Sequence, residues 1–411
     1  MSSFRKRVPS KQPKLPPGTK LSPHNGQVLV STGVPSLDDV LGGGLPAGSI
    51  CLVLADRRTG YSNMLLNYFM AQGLAAGHQV HLTSADTTPQ DLLKAIPSWC
   101  PEVAQDAAVL EPPSPSPTAS TATTTTPEAK MKIAWRYQNL PSMDVDHDQN
   151  RPVGPHASNL FCHSFDLLRP VRPKVLESAN IDLFDLSAWR QHDLADPYEA
   201  LFAHLCALIE EHGFSSLESG PAPAERNVLR IAIHALASPF WQGQNPNACV
   251  QFLHALKGLL RYSFSSCMIT VPAHLYQTDG PHRSGFIRQL EHMCDAVVEL
   301  ESFAGSRSAR PSASSLNCHG FFYIHKQPLL NSLVPSSSKL SIISGAQLST
   351  NNLAFKQKRH KFVIETFHLP PEGGVNERRV EPPAAEKRSS ERARGSGPHA
   401  ASSLPAPLLD F

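Results

Sequence analysis

Ser31-Thr-Gly-Val-Pro-Ser-Leu-Asp-Asp-Val-Leu-Gly-Gly-Gly-Leu-Pro-Ala-Gly48 runs directly into Ser49-Ile-Cys-Leu-Val-Leu-Ala55, and then into Asp56-Arg-Arg-Thr-Gly-Tyr-Ser62. Three consecutive glycines, Gly42, Gly43 and Gly44, permit backbone angles and close approaches that a side chain would forbid. The apolar run Ser49–Ala55 is short, continuous and bounded by Gly48 and Asp56, the pattern of a strand buried on both faces. Behind it, Ser62–Ala76 places Leu65, Tyr68, Phe69 and Gln72 on one helical face, with Gly77 as a stop. His78–Thr83 reads as the next strand.

Between such a strand and helix a phosphate loop reads Gly-x4-Gly-Lys-Ser/Thr, in which backbone amides cradle phosphates and the lysine neutralises their charge. Here Ala55 stands in place of the first glycine and Tyr61 in place of the lysine, while Gly60 and Ser62 remain. A tyrosine donates one neutral hydrogen bond and brings no positive charge to a phosphoryl transition state. Arg57 and Arg58 either reach phosphate from within the loop or form a solvated turn. Gly60, Ser62, Arg57 and Arg58 are therefore the candidate nucleotide contacts. The strand that would bring a metal-binding carboxylate is Leu229–Ser238, which offers only His234 and Ser238. A lone histidine on a strand is more often packed than ligating. Asp86 either orients a water or serves as an acidic loop residue or helix cap. No catalytic residue and no metal ligand set is assigned, and hydrolysis of Mg-NTP by this chain alone is not expected.

Working outward, Asp196-Pro197-Tyr198-Glu199 has the N-cap, Pro and third-position Glu of a helix start. Tyr198, Leu201, Phe202, Leu205, Leu208 and Ile209 keep helical spacing behind it, to Gly213. Val228–Leu236 is a further strand, and a helix opened by Asn245-Pro246 carries Val250, Phe252, Leu253, Leu256 and Leu260. Ser265–Val271, Ala296–Leu300, Gly320–His325 and Phe362–Phe367 supply the remaining strands. Alternating strands and helices predict an α/β fold with a mostly parallel sheet covered on both faces. The late strands have little helix between them, which predicts antiparallel pairing at that edge.

The chain has 411 residues, 41% of them hydrophobic, so a substantial core is available, but its 37 prolines call for extended segments as well. Residues 1–25 read as a disordered basic arm: Arg5, Lys6, Arg7, Lys11, Lys14 and Lys20 all precede Asp38, the first acidic residue. Within the domain expected over 26–370, an insertion at about 103–130 includes Pro112–Thr126, built only of Pro, Ser, Thr and Ala. Residues 371–411 read as a disordered tail. The net charge of +2 gives no whole-molecule field that would recruit nucleic acid. Eight scattered cysteines without a Cys-x-x-Cys pair fit reduced thiols and give no zinc spacing. No apolar region follows the basic N-terminus and no run is long enough to span a bilayer, which predicts a cytoplasmic protein with a possible nuclear pool.

The string Thr32–Gly48 entering a phosphate-loop strand resembles the lead-in of RecA-type ATPases. Lys132-Ile-Ala-Trp-Arg-Tyr137, Phe161-Cys-His-Ser-Phe-Asp-Leu167 and Leu229-Arg-Ile-Ala-Ile-His-Ala-Leu-Ala-Ser-Pro-Phe-Trp241 extend the match. In that order they resemble the Elongator complex subunit four family, the PAXNEB-type proteins, over most of residues 26–370. The resemblance implies a RecA-like subunit without working Walker motifs, joined to subunits five and six in a hetero-hexameric ring. The ring would be an accessory to the catalytic Elongator core, which modifies wobble uridine in tRNA. It implies tRNA as a partner, no membrane and no DNA, no firmly bound cofactor, and ATP acting at the level of the ring. Phosphate-backbone binding requires clustered Lys and Arg beside accessible aromatics. Lys132, Arg136 and Tyr137 interleave both, and Lys356, Lys358, Arg359, His360 and Lys361 form a denser run in an expected turn. An exposed hairpin tip kept soluble by charge explains that run equally well. Two other functions fit the sequence: an active RecA-type NTPase with a degenerate or composite site, and a RecA-group paralogue that only binds partners.

Overall fold

In the computed structural model of the protein, the apolar run after Gly48 forms a strand, Ile50–Leu54, at the centre of a nine-stranded sheet. The structure describes residues 15–99, 160–186, 196–216, 227–242, 245, 247–276, 284–304, 318–332 and 353–367. The expected insertion at about 103–130, the string Lys132–Tyr137 with Arg136, and the expected tail over 371–411 lie outside these residues.

The chain enters through a small antiparallel sheet of β1 (Thr19–Leu21), β2 (Val28–Val30) and β3 (Leu45–Pro46), with helix α1 (Pro35–Val40) between the last two. The arm expected over 1–25 is thereby corrected at its C-terminal side, because Thr19 pairs with Val30 and Leu21 with Val28. Three residues are too few to show a period, so no strand signal stands out there. Then follow β4 (Ile50–Leu54), α2 (Tyr61–Ala76), β5 (Gln79–Ser84), α3 (Pro89–Lys94) and β6 (Pro97–Trp99). Next come β7 (Phe165–Pro170), α4 (Pro173–Ser178), β8 (Ile181–Asp185) and α5 (Pro197–Glu211). The remainder is β9 (Leu229–His234), α6 (Ala248–Arg261), β10 (Ser265–Val271), α7 (Gly285–Met293), β11 (Ala296–Ser302), β12 (Gly320–Lys326), β13 (Leu353–Gln357) and β14 (Phe362–Thr366).

Strand order in the large sheet is β14-β13-β12-β11-β4-β10-β9-β5-β8. The six strands from β11 to β8 are parallel, and β11 through β14 pair antiparallel. This is the α/β, mostly parallel sheet with an antiparallel edge that the element order predicts. Successive side chains of β4 alternate between two cores, as the period of two requires. Cys51 and Val53 pack with Leu65, Leu66 and Phe69 of α2, whereas Ile50, Leu52 and Leu54 join Leu205 of α5, Leu253 and Leu256 of α6 and Leu290 of α7. Each wholly buried aliphatic side chain contributes about 1.5–3 kcal/mol.

The caps follow from the residues. Asp196 accepts a hydrogen bond from the Tyr198 amide at 2.9 Å with Pro197 in the first turn, as the sequence indicates. Gly77 closes α2 with φ +73°, the left-handed angle at which glycine is unstrained. No described helix is long and apolar enough to cross a membrane. Cys51, Cys249, Cys267 and Cys294 are buried free thiols, and burial pushes the Cys51 thiol up to about 12.

Candidate functional site

The glycine-rich lead-in is held by its own polar residues. The Asp38 carboxylate accepts hydrogen bonds from the Ser31 hydroxyl at 2.5 Å and from the Thr32 amide and hydroxyl, each at 2.7 Å. Gly33 has φ +87°, and a Cβ there would lie 2.3 Å from the Tyr68 carbonyl oxygen, so only glycine fits beneath α2. Gly42, Gly43 and Gly44 all take positive φ, as their spacing predicts. Burial pushes the Asp38 carboxyl up to about 6, although these hydrogen bonds and the charge of Arg230 pull the other way.

Arg230, fully buried on β9, is held largely by the backbone around it. It donates to the carbonyls of Ser31 and Phe69 at 2.8 and 3.1 Å, to His78 Nδ1 at 3.0 Å, and stacks over the Phe69 ring. His78 passes the chain of bonds on, with Nε2–H donating to the Pro17 carbonyl at 2.7 Å. The family string at Phe161 is clasped in the same manner. Gln72 of α2 donates to the Phe161 carbonyl at 3.1 Å and accepts from the His163 amide at 2.9 Å. The lead-in, the strand at Arg230 and the string at Phe161 are therefore joined to one another through α2.

The loop between β4 and α2 is open on one side and filled on the other. Arg57, Arg58 and Gly60 are exposed, and the Thr59 hydroxyl donates to Asp56 at 2.7 Å. Ser62 is buried in the first turn of α2. Tyr61, at the position of the phosphate-loop lysine, turns its ring edge-on to Phe355 of β13, with ring centroids 4.7 Å apart, and lies 6.3 Å from Phe362 of β14. Burial, and after it the charge of Asp56, raise the Tyr61 phenol above its ordinary value, so the group stays neutral. Three of the four loop candidates line the open side, Ser62 lies beneath them, and the lysine position is committed to aromatic packing.

At the carboxyl ends of β5 and β9 the structure joins residues that stand apart in the sequence. His234 is buried and its Nδ1 lies 3.0 Å from the Ser84 hydroxyl, while Ser238 donates to the exposed Asp86 carboxylate. Burial lowers the His234 value, so it stays neutral. Ala235 and Ala237 hold left-handed φ of +49° and +62°, a strain of about 1–2 kcal/mol each. The Ala235 amide donates to the Thr270 hydroxyl at 2.8 Å, and Tyr276 donates to the Ala237 carbonyl. Beside this turn is a cleft of about 290 Å3 that includes Tyr198, Ser238, Cys249 and Tyr276.

The expected basic turn is a tight hairpin between β13 and β14, in which the Lys358 amide donates to the Lys361 carbonyl at 2.8 Å. Lys356 is half-buried on β13, while Lys358, Arg359, His360 and Lys361 are exposed. Lys358 is spent partly on Glu365, 3.1 Å away, and His360 on Asp166 at 3.0 Å. Lys361 lines a cleft of about 310 Å3 with Ser36, Asp39, Tyr68, His163 and Phe165. Because Tyr61 packs on Phe355 and Phe362, the start of α2 and the base of this hairpin form one surface, an adjacency between positions nearly three hundred residues apart that no sequence pattern signals. Arg136 lies outside the described residues.

One polar cluster escaped the sequence altogether. His81 of β5, Asp182 of β8 and His204 of α5 converge, with donor atoms all within 4.8 Å of one another. Their separations along the chain match no ligand spacing, so only the pairing of β5 with β8 reveals them.

Comparison with known proteins agrees with these strings. Residues 12–403 match the family described as PAXNEB protein. Elongator complex protein 4 of Xenopus laevis is 36% identical over 387 residues, covering 90% of this chain and 86% of that protein. The protein of the same name from Homo sapiens is 36% identical, covering 86% and 80%, and that of Dictyostelium discoideum is 35% identical, covering 87% and 78%. A family match over residues 12–403, with relatives 35–36% identical over most of their length, makes this chain a member of the PAXNEB family.

Proposed function

We propose that this chain is a non-catalytic, RecA-like subunit of an Elongator complex. In this reading it joins subunits five and six in a hetero-hexameric ring that holds tRNA while the catalytic core modifies the wobble uridine. The observation that carries the reading is Tyr61. The position from which a lysine would neutralise phosphate charge holds a neutral ring packed on Phe355, so the loop has exchanged transition-state chemistry for packing. Relatives named Elongator complex protein 4, similar over most of their length, support the assembly half of the proposal. ATP then acts at the level of the ring, and the complex works in the cytoplasm with a nuclear pool. Arg359 and Lys361, exposed at the hairpin tip, are the first candidates for phosphate-backbone contact, with Lys356 and Lys358 beside them.

The test is affinity purification of the tagged chain from cells, with mass spectrometry of its partners and nucleoside analysis of tRNA after its depletion. Recovery of subunits five and six in near-equal amounts, with loss of the modified wobble uridine on depletion, is expected. Recovery of neither, with wobble uridines unchanged, overturns the proposal. The exposure of Arg57 and Arg58 favours one second reading, a composite nucleotide site completed by a neighbouring chain. Nucleotide turnover that requires the neighbour and vanishes on replacing both arginines with alanine would establish it.

A further inference from the structure

We propose that His81, Asp182 and His204 form a binding site for one divalent cation of the zinc class at the β8 edge of the large sheet. The strand register supplies the first pair: β5 runs parallel to the edge strand β8 with His81 opposite Asp182. The third ligand comes from α5, whose His204 meets the same carboxylate and packs on the Phe184 ring of β8. His81 Nδ1 lies 2.6 Å and His204 Nε2 2.8 Å from the one oxygen, Asp182 Oδ2. Among the described residues this is the sole grouping of three ligating side chains with such convergence.

The chemistry of the set is selective. Two imidazoles and one carboxylate suit zinc and its neighbours rather than magnesium or calcium, which prefer all-oxygen shells. Zinc bonds of about 2.0–2.2 Å in tetrahedral array place ligand atoms about 3.3 Å apart. The two contacts at Asp182, at 2.6 and 2.8 Å, therefore need to open by about 0.5–0.7 Å to admit the ion, while the two imidazole nitrogens, within 4.8 Å of each other, adjust about it. A fourth position remains for water.

Two further features are those of a built site. A metal-bound histidine is oriented by a hydrogen bond at its other ring nitrogen. His81 Nε2 has such a partner, the Thr83 hydroxyl at 2.6 Å, two residues along the same strand face. That hydroxyl donates when His81 Nδ1 keeps its proton for Asp182, and accepts when Nδ1 gives its lone pair to a metal, so it serves both states. The second feature is access. His81 is sealed, but the Asp182 and His204 side chains are 24% and 32% exposed, which leaves an entry from solvent. The Phe184 ring, 4.9 Å from that of His204, walls one side. The ion would join the edge strand, its neighbour and the covering helix at a single point, a role separate from the phosphate loop and independent of the ring proposal.

The full-length chain, freed of metal with a chelator and dialysed, is titrated with Zn2+ in a calorimeter. One equivalent bound is expected, with affinity at least tenfold lower in His204→Ala and in Asp182→Asn, and a melting temperature that rises with Zn2+ only in the unsubstituted chain. Absence of stoichiometric uptake, or uptake unchanged by His204→Ala, overturns the site and leaves a hydrogen-bonded triad. Should the variants fail to fold, X-ray absorption of the zinc-loaded natural chain decides: nitrogen and oxygen ligands with imidazole scattering support the site, whereas sulfur ligands overturn it.

Discussion

His78 and Asp38 sit on either side of the buried Arg230 and respond to acid in opposite senses. Burial first, and then the charge of Arg230, lower His78 from 6.5 to about 3. The folded state therefore refuses a proton that the unfolded chain accepts. The stability this represents is complete above pH 6.5 and is lost as pH falls from 6.5 toward 3. Asp38, raised to about 6, instead favours protonation in the folded state, and gains stability as pH falls from 6 toward 3.8. The two partly offset each other between pH 6 and pH 4, so a difference measurement is needed. His78→Asn keeps an acceptor for Arg230 and removes the titration. The stability advantage of the natural chain over this variant is expected to shrink by roughly 2–3 kcal/mol between pH 7 and pH 4.5 in urea melts. A constant difference would mean that His78 takes up its proton in the folded protein as readily as in the unfolded one. Thr32 and Asp38, six positions apart, at least share the one string on which the sequence reading rests. His78 and Arg230, 152 positions apart, share no local pattern, and their contact is visible only in the structure.

Helix α2 divides in the same way at the level of the element. Its extent is legible because Leu65, Phe69 and Gln72 keep helical spacing and Gly77 stops it. Its interior glycine has no meaning until the sheet lies beneath it. At Gly73 an added Cβ would stand 2.6 Å from Arg230 Cδ and 2.8 Å from Val80 Cγ2. Gly258 of α6 has nothing within 4 Å. Replacing a helical glycine with alanine gains up to about 1 kcal/mol in propensity, whereas overpacking a closed core costs about 1–3 kcal/mol. Gly258→Ala is expected to raise the melting temperature. Gly73→Ala is expected to lower it, because the buried guanidinium has no room to withdraw. Equal effects at the two positions would refute the close packing of α2 on β9. The strands divide likewise. Ser265–Val271, with Cys267, Met268, Ile269 and Val271 in its wholly buried length, matches the strand read from the sequence, whereas β8, with Asp182 and Asp185 in a half-buried edge, lacks that signature.

For the whole molecule, the two faces of the sheet are closed by different means: α2 with the lead-in and the late hairpin on one, α5, α6 and α7 on the other. The first face carries the loop between β4 and α2, the string Phe161–Leu167 and the basic hairpin. In the assembled complex, Arg359→Glu combined with Lys361→Glu is expected to weaken tRNA binding at low salt. Removing one phosphate interaction should reduce the salt dependence by about one unit of log–log slope. Both side chains are exposed, so the melting temperature should hold. Unchanged tRNA affinity across salt would make the hairpin a charged tip that only keeps the edge soluble.

By itself the sequence determined the α/β class, the central strand, and the extent of α2 and α5 with the Gly77 and Asp196 caps. Each of these is written in local spacing: apolar runs, a 3.6-residue period, a Pro after an Asp, a Gly at the helix end. Only the tertiary structure decided that Thr19–Leu21 is a strand, that Tyr61 packs on a hairpin from the far end of the chain, and that His81, Asp182 and His204 meet. Those facts depend on which strands become neighbours. Strand order is fixed by the burial of two whole faces at once, a sum over the molecule that no short window of residues contains.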